Sequence, residues 1–421
     1  MMLAHQFRRK SALASLMGVL VPLTVFAQQR PPASPPRGPD ANYWVYVGAE
    51  SADLLQRIRF GPGGTVIEKT IQAGEFLADN EGPHGLQISK DGAYLHVTTG
   101  HGKPDGKYWK YALGPDTLVG DPIFLGFFPA SLDVTSDGLY AFVVNFNLHG
   151  NMVPSSVSVV YTPTNTEVAR TTTCTMPHGS RVDPTGKHQY SACMRDDQLV
   201  EIDTRTFDVS RRFSLAKGKE APIVVMADAM AGMNHAAMDH GMAARAPAPG
   251  KPVQPNAFPT PEAGQSGLHN MSPATCSPTW AQPSADGSKI YVACNKSDEI
   301  LEIDRDKWAV SRRLKTGRGP YNLAVTPDGK LLVASLKPGS SVEVFDLSTG
   351  QSIMQMKSST TLTHGVVISP DSRYAFVSSE GVGAAPGKVD VYDLRALTRV
   401  GTVDVGQQAG GIAFWKMEPA K

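Results

Sequence analysis

The chain has 421 residues, with 40 basic side chains against 39 acidic ones, 40 glycines and 32 prolines. Charges that nearly cancel exclude the basic footprint by which a protein holds nucleic acid or an anionic membrane surface. So much glycine and proline, with no long stretch of helical periodicity, points to an all-β protein rich in tight turns.

In chain order, Arg8, Arg9 and Lys10 precede an apolar run from Ser11 to Phe26, and Val25-Phe26-Ala27 offers a small-residue cleavage site. Residues 1–27 therefore read as a secretory signal peptide cleaved near Ala27, which implies a periplasmic or secreted protein with no membrane span in the mature chain. The run is short and interrupted by Pro22, unlike a membrane-crossing helix. The residues after the paired arginines do not complete a twin-arginine motif. Residues 28–42 form a proline-rich, extended linker. Three predicted strands follow at Tyr43 to Val47, Leu54 to Phe60 and Val66 to Ile71.

From Pro83 onward one unit recurs: PHGLQISKDGAYLHV, then copies starting at Pro129, Pro177, Pro278, Pro320 and Thr363, and a last partial copy, AGGIAFW, from Ala409. Each full copy reads as an alternating apolar strand, an Asp-containing turn, a second strand, a loop and two further strands, that is, one antiparallel four-stranded meander. Such a sheet is stable only against neighbours. The second position of the unit is His84, Ala130, His178, Thr279, Tyr321, His364 and Gly410, at intervals of 46, 48, 101, 42, 43 and 46 residues. Seven inner strands result if the three N-terminal strands join the lone C-terminal one. The prediction is a seven-bladed β-propeller over residues 43–421, closed by pairing of its two ends.

The turn and second-strand stretches TPDGKLLVAS, SPDSRYAFVS, SADGSKIYVACN, SKDGAYLHVTT and TSDGLYAFVVN resemble the YVTN-repeat β-propeller family, with a close match in the turn and a loose one in the last two residues. The resemblance covers most of the mature chain and implies the fold. It permits binding proteins, lactonase-like enzymes and redox-enzyme subunits, and selects none of them.

The long interval contains a Met/His/Pro-rich insertion over residues 216–272 that lacks strand alternation. In it Met226, Met230, Met233, Met238 and Met242 interleave with His235 and His240. Thioether suits Cu(I) and imidazole suits both copper oxidation states. The six residues Met230, Met233, His235, Met238, His240 and Met242 are close enough along the chain to wrap one ion. The tract, MNHAAMDHGM above all, resembles the Met/His-rich loops of exported copper-handling proteins. The competing reading is an alanine-rich loop whose methionines pack on apolar surface.

His84, His178 and His364 share the second position of inner strands, and His101 and His149 lie just past the ends of second strands, so antiparallel geometry carries all five toward one rim of the channel. They are candidate ligands for a metal or acid–base groups for a small molecule. Alternatively each packs against the next blade and bonds a backbone carbonyl. Cys174 and Cys193 bracket one blade's first two strands, and Cys276 and Cys294 bracket the next blade's in the same way. Two intra-blade disulfides are favoured over crossed bridges and over thiolate metal ligation.

Covalent haem is not encoded, since no C-x-x-C-H occurs, and no G-x-S-x-G elbow is present. The turn aspartates Asp91, Asp137, Asp286, Asp328 and Asp371 fall at the opposite end from the histidines and read as turn formers. These residues favour an exported binding protein that holds or delivers copper through its loop. A lactonase-like or cofactor-dependent redox enzyme using the histidine-lined rim, and a protein-interaction scaffold, are the alternatives.

Overall fold

The computed structural model describes residues 38–75, 78–101, 106–224 and 273–420. The predicted signal segment lies outside them, as do Met230, Met233, His235, Met238, His240 and Met242. The described residues form seven antiparallel sheets. The inner strands are Pro83–Ile88, Pro129–Val134, Pro177–Val182, Pro278–Pro283, Pro320–Val325, Thr363–Ile368 and Ala409–Pro419, which we number blades 1 to 7.

Blade 7 closes the ring as predicted. Its inner strand Ala409–Pro419 pairs with Ala41–Ala49, which pairs in turn with Leu54–Gly61 and that with Gly64–Gln72. The register sets Val45 opposite Phe414 and Val47 opposite Ile412. Both chain ends are thereby tied into one sheet. The seam with blade 6 is aromatic: Tyr43 and Phe60 each meet Tyr374 edge-on with ring centroids 5.0 Å apart. Rings so buried are worth about 1.5–3 kcal/mol each in apolar area. The core lies between blades, as a repeat that cannot bury its own face requires; one cluster joins Tyr190, Leu199 and Phe213 of blade 3 to Ile290, Val292 and Trp308 of blade 4.

The two ends of each inner strand differ in backbone. At the lower end the Asp-Gly turn has its glycine at positive φ, in blades 1 and 2 at Gly92 and Gly138, and blade 6 puts Ser372 there at φ 57°. At the upper end the residue preceding the inner strand is left-handed in all seven blades; five of these are not glycine, namely Phe128, Met176, Ser277, Leu362 and Gln408. Non-glycine residues in that region are strained by about 1–2 kcal/mol.

The insertion begins as structure: Ala221–Pro222 adds a fifth strand to the outer edge of blade 3. Both predicted disulfides form within blades, Cys174–Cys193 and Cys276–Cys294. Among the described residues no helix is long and apolar enough to cross a membrane.

Candidate active site at the upper channel mouth

The unit's own geometry builds the site. In a Pro-His-Gly start, the glycine lets the next blade approach: a Cβ on Gly85 would lie 2.2 Å from the Ala130 carbonyl oxygen. That same carbonyl accepts a hydrogen bond from His84 Nδ1 at 3.1 Å. His178 repeats the contact one blade on, donating from Nδ1 to the Thr279 carbonyl at 2.9 Å. With Nδ1 carrying the proton, the neutral ring offers Nε2 as an acceptor. Tyr321 donates its hydroxyl to His178 Nε2 at 2.8 Å. His364 faces Gly410, the equivalent residue of blade 7, without a hydrogen bond of normal geometry at Nδ1.

These four rings meet around the axis. Centroids are 6.0 Å apart for His84 and His178, 5.1 Å for His178 and Tyr321, 4.8 Å for Tyr321 and His364, and 5.7 Å for His364 and His84. They form a floor across the channel. His84 and His178 bond a backbone carbonyl of the next blade through one nitrogen, as the packing reading expected, and line the channel with the rest of the ring. His101 and His149 reach the same rim, 5.4 Å apart, each against Phe128.

Above the floor opens a cavity of about 460 Å3. Its charged residues were not singled out from the sequence. Glu50, 5% exposed, accepts a hydrogen bond from His101 Nε2 at 2.8 Å and lies 3.9 Å from His84 Nε2. Across the mouth, Lys337 pairs with Glu380 at 2.6 Å and sits 4.5 Å over the Tyr321 ring. Glu380 is also 3.7 Å from His364 Nε2.

A signal for these residues was present. Glu50, Phe146, Met194, Asn295, Lys337 and Glu380 all line the cavity and all immediately follow the strand next to an inner strand. Antiparallel geometry brings the residue at this position to the rim in every blade, as it does His101 and His149.

The electrostatics follow from burial and pairing. Burial would raise the Glu50 carboxyl, but His84, His101 and Lys337 outweigh it and hold the group below its ordinary range. Burial likewise opposes the charge on Lys337, yet Tyr321, Glu380 and Glu50 raise it, so the ammonium persists. His178 is pushed down to about 3 by burial and by neighbouring His84, and His364 also falls well below its usual value through burial and Lys337. At neutral pH the site therefore combines a carboxylate, an ammonium and the neutral imidazoles of His178 and His364. Among the described residues no group of three or more His, Cys, Asp or Glu side chains is spaced to hold a metal ion.

The lower face carries the turn aspartates where expected. In each of five blades a Ser or Thr two residues earlier donates its hydroxyl to the aspartate, as Thr135 does to Asp137 at 2.6 Å, and the aspartate accepts the backbone N–H two residues on. Their role is to shape the turn.

Residues 270–409 match the YNCE-like beta-propeller family. No curated protein sequence matches the chain. Among solved structures, the periplasmic gluconolactonase PpgL of Pseudomonas aeruginosa is similar with a TM-score of 0.62 at 15% identity, over 89% of this chain and 99% of that one. A candidate 6-phosphogluconolactonase of Bacteroides fragilis gives 0.61 at 12% identity, over 90% and 99%. Kuenenia stuttgartiensis hydrazine synthase gives 0.56 at 16%, over 82% and 92%. At these identities the likeness is one of fold, and the chain is a seven-bladed β-propeller similar to YNCE-like propellers.

Proposed function

We propose that the chain is a hydrolase of small cyclic esters, a lactonase-type enzyme, acting in the upper channel mouth. One observation carries this reading: an ionised carboxylate, Glu50, and a persistent ammonium, Lys337, face one cavity of about 460 Å3 whose floor includes the neutral imidazoles of His178 and His364. A cavity of that size suits a small ligand. The lactonases among the similar folds support the substrate class. In the proposed step Glu50 takes a proton from water as the water oxygen bonds to the lactone carbonyl carbon. Lys337 faces the carbonyl oxygen as negative charge develops on it. The ring C–O bond then breaks, and the leaving alkoxide recovers the proton from Glu50. His101 positions Glu50 through its hydrogen bond.

A panel of sugar and aliphatic lactones, followed by acid release, tests this. Turnover by the wild-type chain, lost in Lys337→Met with the fold retained, is the expected result; absence of turnover across the panel contradicts it.

Copper handling by the Met/His tract is a second, separable reading, supported by the interleaving of Met230, Met233, His235, Met238, His240 and Met242 in an expected exported protein. Cu(I) titration of the intact chain and of one lacking residues 226–242 tests it. Unchanged affinity on deletion removes the tract from consideration.

A further inference from the structure

Beneath the histidine floor the channel narrows to a void of about 30 Å3, whose lining includes His84, His178 and His364 above and Arg181, Trp280 and Asn322 around it. That is room for one or two water-sized species. Arg181 lines both this void and the separate cavity at the lower mouth, so its side chain closes the void from below. Its guanidinium stacks on the Trp280 ring at 4.4 Å and donates to the Ser180 carbonyl at 2.8 Å. A guanidinium has five N–H donors.

Among the described residues no carboxylate forms an ion pair with Arg181. Asp133 acts on it only through space. The Asp133 oxygens are already engaged, one by Gln87 and the Val134 N–H, the other by the Val182 N–H. Two further groups on the void end without partners among the described residues, the indole nitrogen of Trp280 and the side-chain oxygen of Asn322. Both residues are at least nine-tenths buried. A buried donor left unsatisfied is costly, and one anionic occupant both satisfies it and pairs with the half-buried Arg181 guanidinium beside it.

We propose that this void binds a small inorganic anion of the halide class on the propeller axis, held by the Arg181 guanidinium, the Trp280 indole N–H and the amide of Asn322. Asn322 presents its N–H to the anion by exchanging amide oxygen and nitrogen, an orientation that the hydrogen-bond network alone decides. The narrow void suits a single small anion. The site is distinct from the upper cavity and does not depend on the hydrolase reading.

Crystals of the mature chain grown with bromide replacing chloride test it directly: an anomalous peak in the void lined by Arg181, Trp280 and Asn322 is expected. In solution, chloride should raise Tm by about 2–5 °C over methanesulfonate at equal ionic strength, and Arg181→Met should abolish the difference. Trp280→Phe, which keeps the ring and removes the donor, should reduce it, and this variant decides the matter if Arg181→Met does not fold. A void holding only water, with no bromide peak and equal Tm in both salts, overturns the proposal.

Discussion

At the lower face, the turns around Asp91, Asp137, Asp286, Asp328 and Asp371 are chemically alike, each an aspartate satisfied by a neighbouring hydroxyl and a backbone N–H. At the upper mouth the equivalent positions hold His84, Ala130, His178, Thr279, Tyr321, His364 and Gly410, and the second-strand exits hold residues as unlike as Glu50, Met194 and Lys337. The same backbone unit serves both ends. Where blades agree, the residue satisfies a local turn; where they differ, side chains from separate blades converge on one volume and share a chemistry no single blade contains.

The largest expected effect breaks the upper end alone. Glu50→Gln should lower kcat/KM for lactone hydrolysis by about 10²–10⁴-fold while circular dichroism stays unchanged; equal activity would return the mouth to a purely structural role.

Acid should weaken the protein through its buried imidazoles. His178 in the floor and His96 inside blade 1 both have folded values near 3, against an ordinary 6.5, chiefly because of burial. The unfolded chain binds these protons first, so the contribution is full above about pH 6.5. It falls as pH drops toward 3, by up to about 1.4 kcal/mol per pH unit for each ring. Tm measured from pH 7.5 to 4 should decline, and His96→Gln should make the decline shallower. An identical slope in that variant would show that His96 titrates normally.

Covalent fastening belongs to the upper end as well. Cys193 and Cys294 immediately precede Met194 and Asn295, which line the cavity. Replacing Cys174 and Cys193 together by serine should cost about 2–4 kcal/mol in denaturant unfolding, with the loss concentrated in blade 3 by hydrogen exchange. The smallest effect sharpens the lower end: Ser372→Gly, which restores the glycine of the other turns at φ 57°, should stabilise by about 0.5–1 kcal/mol. Destabilisation would mean that the Ser372 hydroxyl, which accepts the Asp328 N–H, outweighs the strain.

The sequence made the fold legible because propeller grammar is local. Alternation, the Asp-Gly turn and repeat spacing each act within one blade, and the lone AGGIAFW strand announced the closure with Ala41–Ala49. The five rim histidines were legible because the unit's register puts them there. Glu50, Lys337, Glu380 and the role of Tyr321 were not singled out, because acidic and basic residues after a strand ordinarily face solvent. Only the closed ring, which brings Glu50 from blade 7 to His84 and His101 of blade 1, makes that pattern a site. In the Met/His tract, by contrast, residue types alone name a chemistry, which is why it stands out in the sequence.

The most direct test is a comparison of kcat/KM for lactone hydrolysis in three proteins: the wild-type chain, Glu50→Gln, and the chain lacking residues 226–242. Activity retained in the deletion and reduced about a hundredfold or more in Glu50→Gln is the outcome this account predicts. Activity that survives Glu50→Gln, that disappears with the loop, or that is absent from the wild-type chain would contradict it.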